Sequence, residues 1–284
     1  MTVALGTPLA AQPTGWQARL SLGFVHRPAQ ARTVAAAVDH IGPLRIQRPF
    51  YPEGDICHVY VLHPPGGVVG GDGLHQQARC APDARALVTT PGATKFYRSA
   101  GTTALVRQQL TVEAGASLEW LPQENIFFPG ARVDIGTDIH LHADAQLVAW
   151  EINCLGRPVI NELFSDGQLQ SRLRLFVDGR PLLMETQRIT GPRHLTAAAG
   201  LRSHPVQGVM LAWKVDQALV DAVQEQVAQS ASALVGATLL DGLLVLRVLG
   251  DNAERVRALM ASVWSLVRPH VLGRAAHAPR IWAT

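Results

Sequence analysis

A tight turn followed by alanine, a polar residue and leucine recurs along the first half of this chain, and that recurrence narrows the folds open to it. Gly115-Ala116-Ser117-Leu118 and Asp144-Ala145-Gln146-Leu147 share the pattern. Asp83-Ala84-Arg85-Ala86-Leu87 repeats it loosely, with one extra residue before its leucine, so the leucines fall 31 and 29 residues apart. A turn feeding a strand at such a period implies units that stack and bury their faces on one another. The fold class expected is mainly β, with layered, stacked, β-solenoid-like strands and a smaller helix-containing C-terminal portion. An ordinary β-sandwich is the competing arrangement.

From residue 17 to about 190 the apolar pattern has mostly period two, as strands require. Leu20, Leu22 and Phe24 alternate with polar or small neighbours, and so do Val133, Ile135, Ile139 and Leu141. Val59 and Val61 face one way, while His58, Tyr60 and Leu62 face the other. Residues 147–152 form an apolar run broken only by Glu151. Asp178-Gly179 between two apolar runs marks a hairpin. After about residue 205 the spacing changes. Val215, Leu219, Val220, Val223 and Val227 recur at helical intervals, residues 239–249 read as a strand interrupted by Asp241-Gly242, and Asp251 or Asn252 caps a second helix. Val256, Leu259, Met260, Val263 and Leu266 form its apolar stripe, and Pro269 is expected to stop it. The organisation expected is a loose segment over 1–16, a β-rich layered region over 17–204, an α+β portion over 205–284 packed on the same domain, and a loose tail from Gly273.

Composition excludes several classes of function. Lys and Arg number 25 against 22 Asp and Glu, and only Lys95 and Lys214 are lysines, so no basic run suggests nucleic acid. Three cysteines without a CxxC pair argue against a disulfide framework or a thiolate zinc site and suit a reducing cytoplasm. No signal peptide and no membrane helix is expected. The glycine run Gly66-Gly67-Val68-Val69-Gly70-Gly71 is followed by Asp72 and Gly73, so it lacks the Lys and hydroxyl of a phosphate loop and reads as a tight turn. His140 and His142 would share a strand face and could hold a metal, although no third ligand lies nearby in sequence. Cys57 and His58 point to opposite faces and do not readily share one ion. Glu119 and Glu124 flank a Trp120-Leu121-Pro122 stretch, and paired carboxylates suit acid–base chemistry, which makes a carboxylate-dependent enzyme of layered β fold the alternative function.

Three stretches carry a more specific signal. They are His63-Pro64-Pro65-Gly66-Gly67-Val68-Val69-Gly70-Gly71-Asp72, then Thr89-Thr90-Pro91-Gly92-Ala93-Thr94-Lys95-Phe96-Tyr97-Arg98, then Leu118-Glu119-Trp120-Leu121-Pro122-Gln123-Glu124. In order and separation they resemble the signatures of the UreD (UreH) family of urease accessory proteins. Gly156-Arg157-Pro158, with Glu162 and Phe164, is similar to a further family segment. Asn161 departs from it, since family members often carry Gly or Ser there. The resemblance covers residues 17–190 well and the C-terminal third more weakly.

The resemblance implies a β-rich layered fold and a non-enzymatic, cytoplasmic scaffold that helps insert nickel into apo-urease. It implies a hetero-oligomer with UreF, which recruits the GTPase UreG, and with apo-urease subunits. Nickel would be cargo in transit, not a resident cofactor. A transfer path suits weak, exchangeable, hydrated ligands, and interior carboxylates are tolerable where water reaches them. Asp55, Asp72, Glu124, Glu151 and Glu162 lie in or beside the family-like segments and are the candidates to line such a path, Glu151 and Glu162 foremost. The stripe Val215, Leu219 and Val223 offers either a UreF-binding face or internal core.

Overall fold

A computed structural model describes residues 15–228 and 233–283. In chain order the strands are β1 (Gln17–Arg27), β2 (Arg32–Ile41), β3 (Arg45–Ile46), β4 (Cys57–Leu62), β5 (Gly73–Cys80), β6 (Arg85–Thr89), β7 (Thr94–Phe96), β8 (Ala104–Val112) and β9 (Ser117–Leu121). There follow β10 (Asn125–Phe127), β11 (Arg132–Leu141), β12 (Gln146–Arg157), β13 (Glu162–Leu163), β14 (Gln168–Val177) and β15 (Arg180–Thr190). The C-terminal part adds α1 (Gly191–Thr196), β16 (Val206–Trp213), α2 (Gln217–Ala228), β17 (Ala233–Leu240), β18 (Leu243–Gly250) and α3 (Ala253–Leu272).

The strands coil. β5, β8, β11 and β14 stack in parallel on one side, and β4, β6, β9 and β12 stack in parallel on the other. Short β7 and β10, parallel to each other and to the far end of β12, form a third face. The layered architecture is therefore the observed one. Antiparallel strands close the stack at both ends. β1 and β2 extend the first sheet, β14 turns into β15, and β16, β18 and β17 extend the second sheet. The expected Asp178-Gly179 turn is present as a tight hairpin, whereas Asp241-Gly242, read as an interruption within one strand over 239–249, is instead the turn of a second hairpin between β17 and β18, and all four residues have positive φ.

Alternation in the strands assigns the two faces of the second sheet to two cores. Leu118, Trp120, Leu147 and Ala149 face the first sheet, while Leu121, Val148, Trp150 and Ile152 face α2 and α3. The register corrects one reading of the repeat. Leu118 pairs with Leu147 and with Ala86, so the third copy's inward position belongs to Ala86. Leu87 is shifted by one residue onto the outer face, beside Glu119, because a one-residue offset in a strand reverses the side chain.

The C-terminal part decides two open alternatives and corrects two expectations. Leu219, Val220, Val223 and Val227 are buried in α2, and Val215 is buried just before it, so this stripe is core and not an open partner face. Asp216 accepts the Leu219 N–H at 2.9 Å, and Asn252, not Asp251, caps α3 through the Arg255 N–H at 3.0 Å. α3 runs past Pro269 to Leu272, since buried Val267, Arg268 and Val271 hold its last turn, and Gly273 ends it in a left-handed conformation. The tail is packed rather than loose. Trp282 lies against Trp150 and Trp264, with ring centroids 5.0 and 5.3 Å away. Of the 1–16 segment, residues 1–14 lie outside the described residues, and Trp16 donates its N–H to Asp72.

Helix α3 sits close on the sheet because Gly208 of β16 has no side chain. A Cβ there would meet the Met260 sulfur at 2.5 Å. Gly208→Val is expected to lift α3 and lower stability by about 1–3 kcal/mol, as read by urea unfolding. An unchanged midpoint would show that the contact yields freely.

Candidate functional site

Apolar alternation on the inner face of the first sheet fails at one level. Gln76 of β5, Gln108 of β8 and Thr137 of β11 are register partners there, and the Thr137 hydroxyl donates to Gln108 Oε1 at 3.0 Å. Across the interior, β12 turns Glu151 and Asn153 inward. Asn153 Nδ2 donates to Glu151 Oε1 at 2.7 Å, Ser171 Oγ donates to the same oxygen at 3.2 Å, and Asn125 Nδ2 donates to Asn153 at 3.0 Å. These polar groups line space and do not fill it.

A cavity of about 230 Å3 opens beside Gly66, Gly67, Gly92 and Lys95 and runs inward past Gln76, Gln108 and Thr137 to Glu151. A second, about 720 Å3, begins at Glu151 and runs past Asn153, Ser171 and Gln207 to β15 and β17. The two share Glu151, Leu173 and Val209. Glu151 therefore stands where the two cavities adjoin, the first beside the glycine-rich turns and the second toward the far end of the coil. At that end Arg247 is ion-paired with Glu185 across the two sheets, and Gln187 and Gln207 exchange hydrogen bonds of 2.7 and 2.6 Å.

Burial pushes the Glu151 carboxyl up, against the hydrogen bonds from Asn153 and Ser171. Burial likewise lowers His63 at the first mouth, against the pull of Asp72, which favours a neutral imidazole with a lone pair to offer. Burial, with a smaller contribution from Glu124, pushes the Cys154 thiol up to about 12, so no thiolate stands ready to trap a soft ion. Trp120 Nε1 and Glu124 Oε2 are buried without a hydrogen-bond partner among the described residues. Of the two, Trp120 alone lines the first cavity.

The other carboxylates singled out from the sequence are placed differently. Asp72 closes the glycine-rich turn by accepting the Trp16 and Val69 N–H groups at 2.8 and 2.9 Å. Asp55 accepts from Arg274 at 2.6 Å and from Arg85 at 3.1 Å. Glu162 is ion-paired with Arg157 on a surface loop. Of the five, Glu151 alone lines the cavities. His140 stacks on Phe176 at 4.9 Å, and His142 accepts the Asp144 N–H, so the two are engaged separately. Among the described residues no group of three or more His, Cys, Asp or Glu is arranged to hold a metal ion.

Glu119 lies on the opposite face of the second sheet, under α3, and is 1% exposed. Trp264 Nε1 donates to it at 2.7 Å, and Arg268 donates to both its oxygens at 3.0–3.1 Å. Arg268 also grips Glu53 through two bonds of 2.8 Å, and Glu53 meets buried His58 at 2.9 Å. Burial works to raise Glu53, but His58 and Arg268 outweigh it and hold it down at about 2. With both oxygens occupied, Glu119 has no room to act on a substrate, so the carboxylate pair suggested by the sequence is not assembled. The polar ladder Gln76–Gln108–Thr137 escaped sequence reading, although polar residues at inward positions of three successive coils were the available signal.

The family described as UreD urease accessory protein matches the chain over residues 17–283. A urease accessory protein UreD of Alcanivorax borkumensis is 51% identical over 273 residues, covering 95% of this chain and 93% of its own length. The proteins of the same description from Enterobacter sp. and Klebsiella aerogenes are 46% and 47% identical, covering 98% and 95% of this chain and 99% and 97% of their own lengths.

Proposed function

The chain belongs to the UreD family of urease accessory proteins, and on that footing we propose that it is a non-enzymatic scaffold that guides nickel into apo-urease. In this reading it works in the cytoplasm within a hetero-oligomer, bridging urease to UreF and the GTPase UreG. Nickel is its cargo, and the polar interior through Glu151 is the passage. The observation that supports this most is the meeting of two cavities at one half-buried carboxylate. Amide, hydroxyl and carboxylate oxygens suit a hydrated divalent ion, and they bind weakly enough to release it. Asp55, Asp72, Glu124 and Glu162 act, in this proposal, at or near the ends of the route, where they order the turns and loops around it.

The test is co-expression of a cognate urease gene set with and without this chain, measuring nickel per urease and urease activity. Without the chain, assembled but nickel-poor urease is expected. Full loading would overturn the reading. Glu151→Gln keeps the shape of the neck and removes its charge, so nickel loading should fall while assembly persists.

The same variant has a signature in stability. Burial raises the Glu151 carboxyl, so holding it ionised opposes folding. That penalty is absent below the ordinary carboxylate range, grows as pH rises through it, and is complete above the raised folded value. Glu151→Gln should therefore stabilise the protein at neutral pH, with the gain vanishing in acid. A gain independent of pH would show that the carboxylate is not desolvated.

A further inference from the structure

Beside the first mouth of the cavity, a short loop is rigidly built yet turns its apolar side chains outward. Between β12 and β13, Pro158 starts a single 3-10 turn and Asn161 ends it with φ of +56°. Asparagine tolerates this left-handed conformation, so the departure from Gly or Ser leaves the turn intact. A Cβ on Gly156 would lie 2.2 Å from the Glu162 carbonyl oxygen, and Arg157 clamps Glu162 across the loop. Nothing in this scaffold needs large apolar residues, but Val159, Ile160 and Leu163 are 85%, 59% and 64% exposed. Three such residues on one preorganised turn form an anchor that loses little entropy on binding.

The loop joins the cavity mouth through a chain of contacts. The Arg157 guanidinium lies 4.8 Å from the Phe128 ring centroid, and Phe128 meets Tyr97 edge-on at 4.8 Å. The Tyr97 ring fills the space a Cβ on Gly67 would take, and Gly67 lines the mouth. Lys95 and Arg98, exposed on either side of Tyr97, make no ion pair with any carboxylate among the described residues. Apolar side chains thus stand beside two uncompensated cations at an opening.

We propose that the 158–163 turn, with Lys95, Tyr97 and Arg98, is the docking surface for a protein partner that carries an apolar cleft rimmed by carboxylates. Resting on the passage reading, this partner covers the first mouth, so that an ion enters from protein to protein. Charge complementarity favours it over a second copy of this chain, whose matching patch would set the same cations against each other. A lipid surface fits less well, since a rigid three-residue knob gives little apolar depth.

The test uses the full chain and, as probes, apo-urease and each remaining accessory protein of the same gene cluster, purified separately. The variant Val159→Ser/Ile160→Ser/Leu163→Ser should bind one of these at least ten-fold more weakly with unchanged thermal unfolding. Lys95→Glu/Arg98→Glu should weaken the same interaction, which should also be salt-sensitive, whereas Val38→Ser, an exposed apolar change on β2, should leave it unaltered. Normal binding of every probe by the serine variant overturns the proposal. So does loss of binding to phosphatidylglycerol vesicles instead of to a protein, or a change from dimer to monomer. If urease fills with nickel in the absence of the chain, the passage reading fails and the docking result is still read by itself.

Discussion

Replacing Arg268 with alanine is expected to destabilise the protein by roughly 3–5 kcal/mol, the usual penalty for stranding a buried charge. Arg268 is fully buried and joins three distant parts of the chain, since Glu53, Glu119 and α3 all meet at its guanidinium. Removing it leaves Glu119 ionised between Leu87 and Val148 with only the Trp264 N–H to satisfy it. Glu53 keeps His58 and loses less. The sign with pH follows from burial, which raises the Glu119 carboxyl. Arg268 holds that carboxyl down, so its loss raises it further; above the variant's value the full penalty stands, and below the ordinary carboxylate range the protonated acid removes most of it. Urea unfolding at neutral and acid pH reads both effects. The paired variant Glu119→Leu/Arg268→Met should recover most of the loss, because an apolar pair of similar volume removes both charges together. A single variant as stable as the parent, or one whose deficit ignores pH, would show that the pair is not ionised.

The second large effect concerns the neck. Leu173→Trp places a bulky ring where the two cavities meet, opposite Glu151 and Val209. Nickel per urease should fall to the level found without the chain, while overpacking lowers stability by about 1–3 kcal/mol and partners still co-purify. This outcome differs from that of Glu151→Gln, which weakens the chemistry of the passage but leaves it open. Urease fully loaded by a folded Leu173→Trp chain would mean that nickel travels by another route.

The two strong substitutions lie on opposite faces of one sheet, and this division of labour follows from strand alternation. In β9, Trp120 turns toward the cavity and Glu119 toward α3. In β12, Glu151 turns inward and Trp150 outward, where its indole N–H bonds the Pro122 carbonyl at 2.7 Å and its ring meets Trp282. The outer face locks the C-terminal helix and tail to the coil, and the inner face lines the cavities.

The sequence alone determined the layered β architecture, the Asp178-Gly179 hairpin and the two C-terminal helices, because period-two alternation, turn chemistry and caps are local signals read within a few residues. It also singled out Glu151, since a carboxylate inside an apolar run is conspicuous without any structure. Tertiary structure decided what sequence spacing could not. Leu87 moved to the outer face because register is set by partner strands, and the tail became ordered because Trp282 found Trp150 and Trp264. Glu119 became a lock and Glu151 the wall of two cavities for one physical reason. Whether a buried carboxylate meets an arginine 149 residues away or an open polar cavity depends on which elements fold over it, and no local pattern records that.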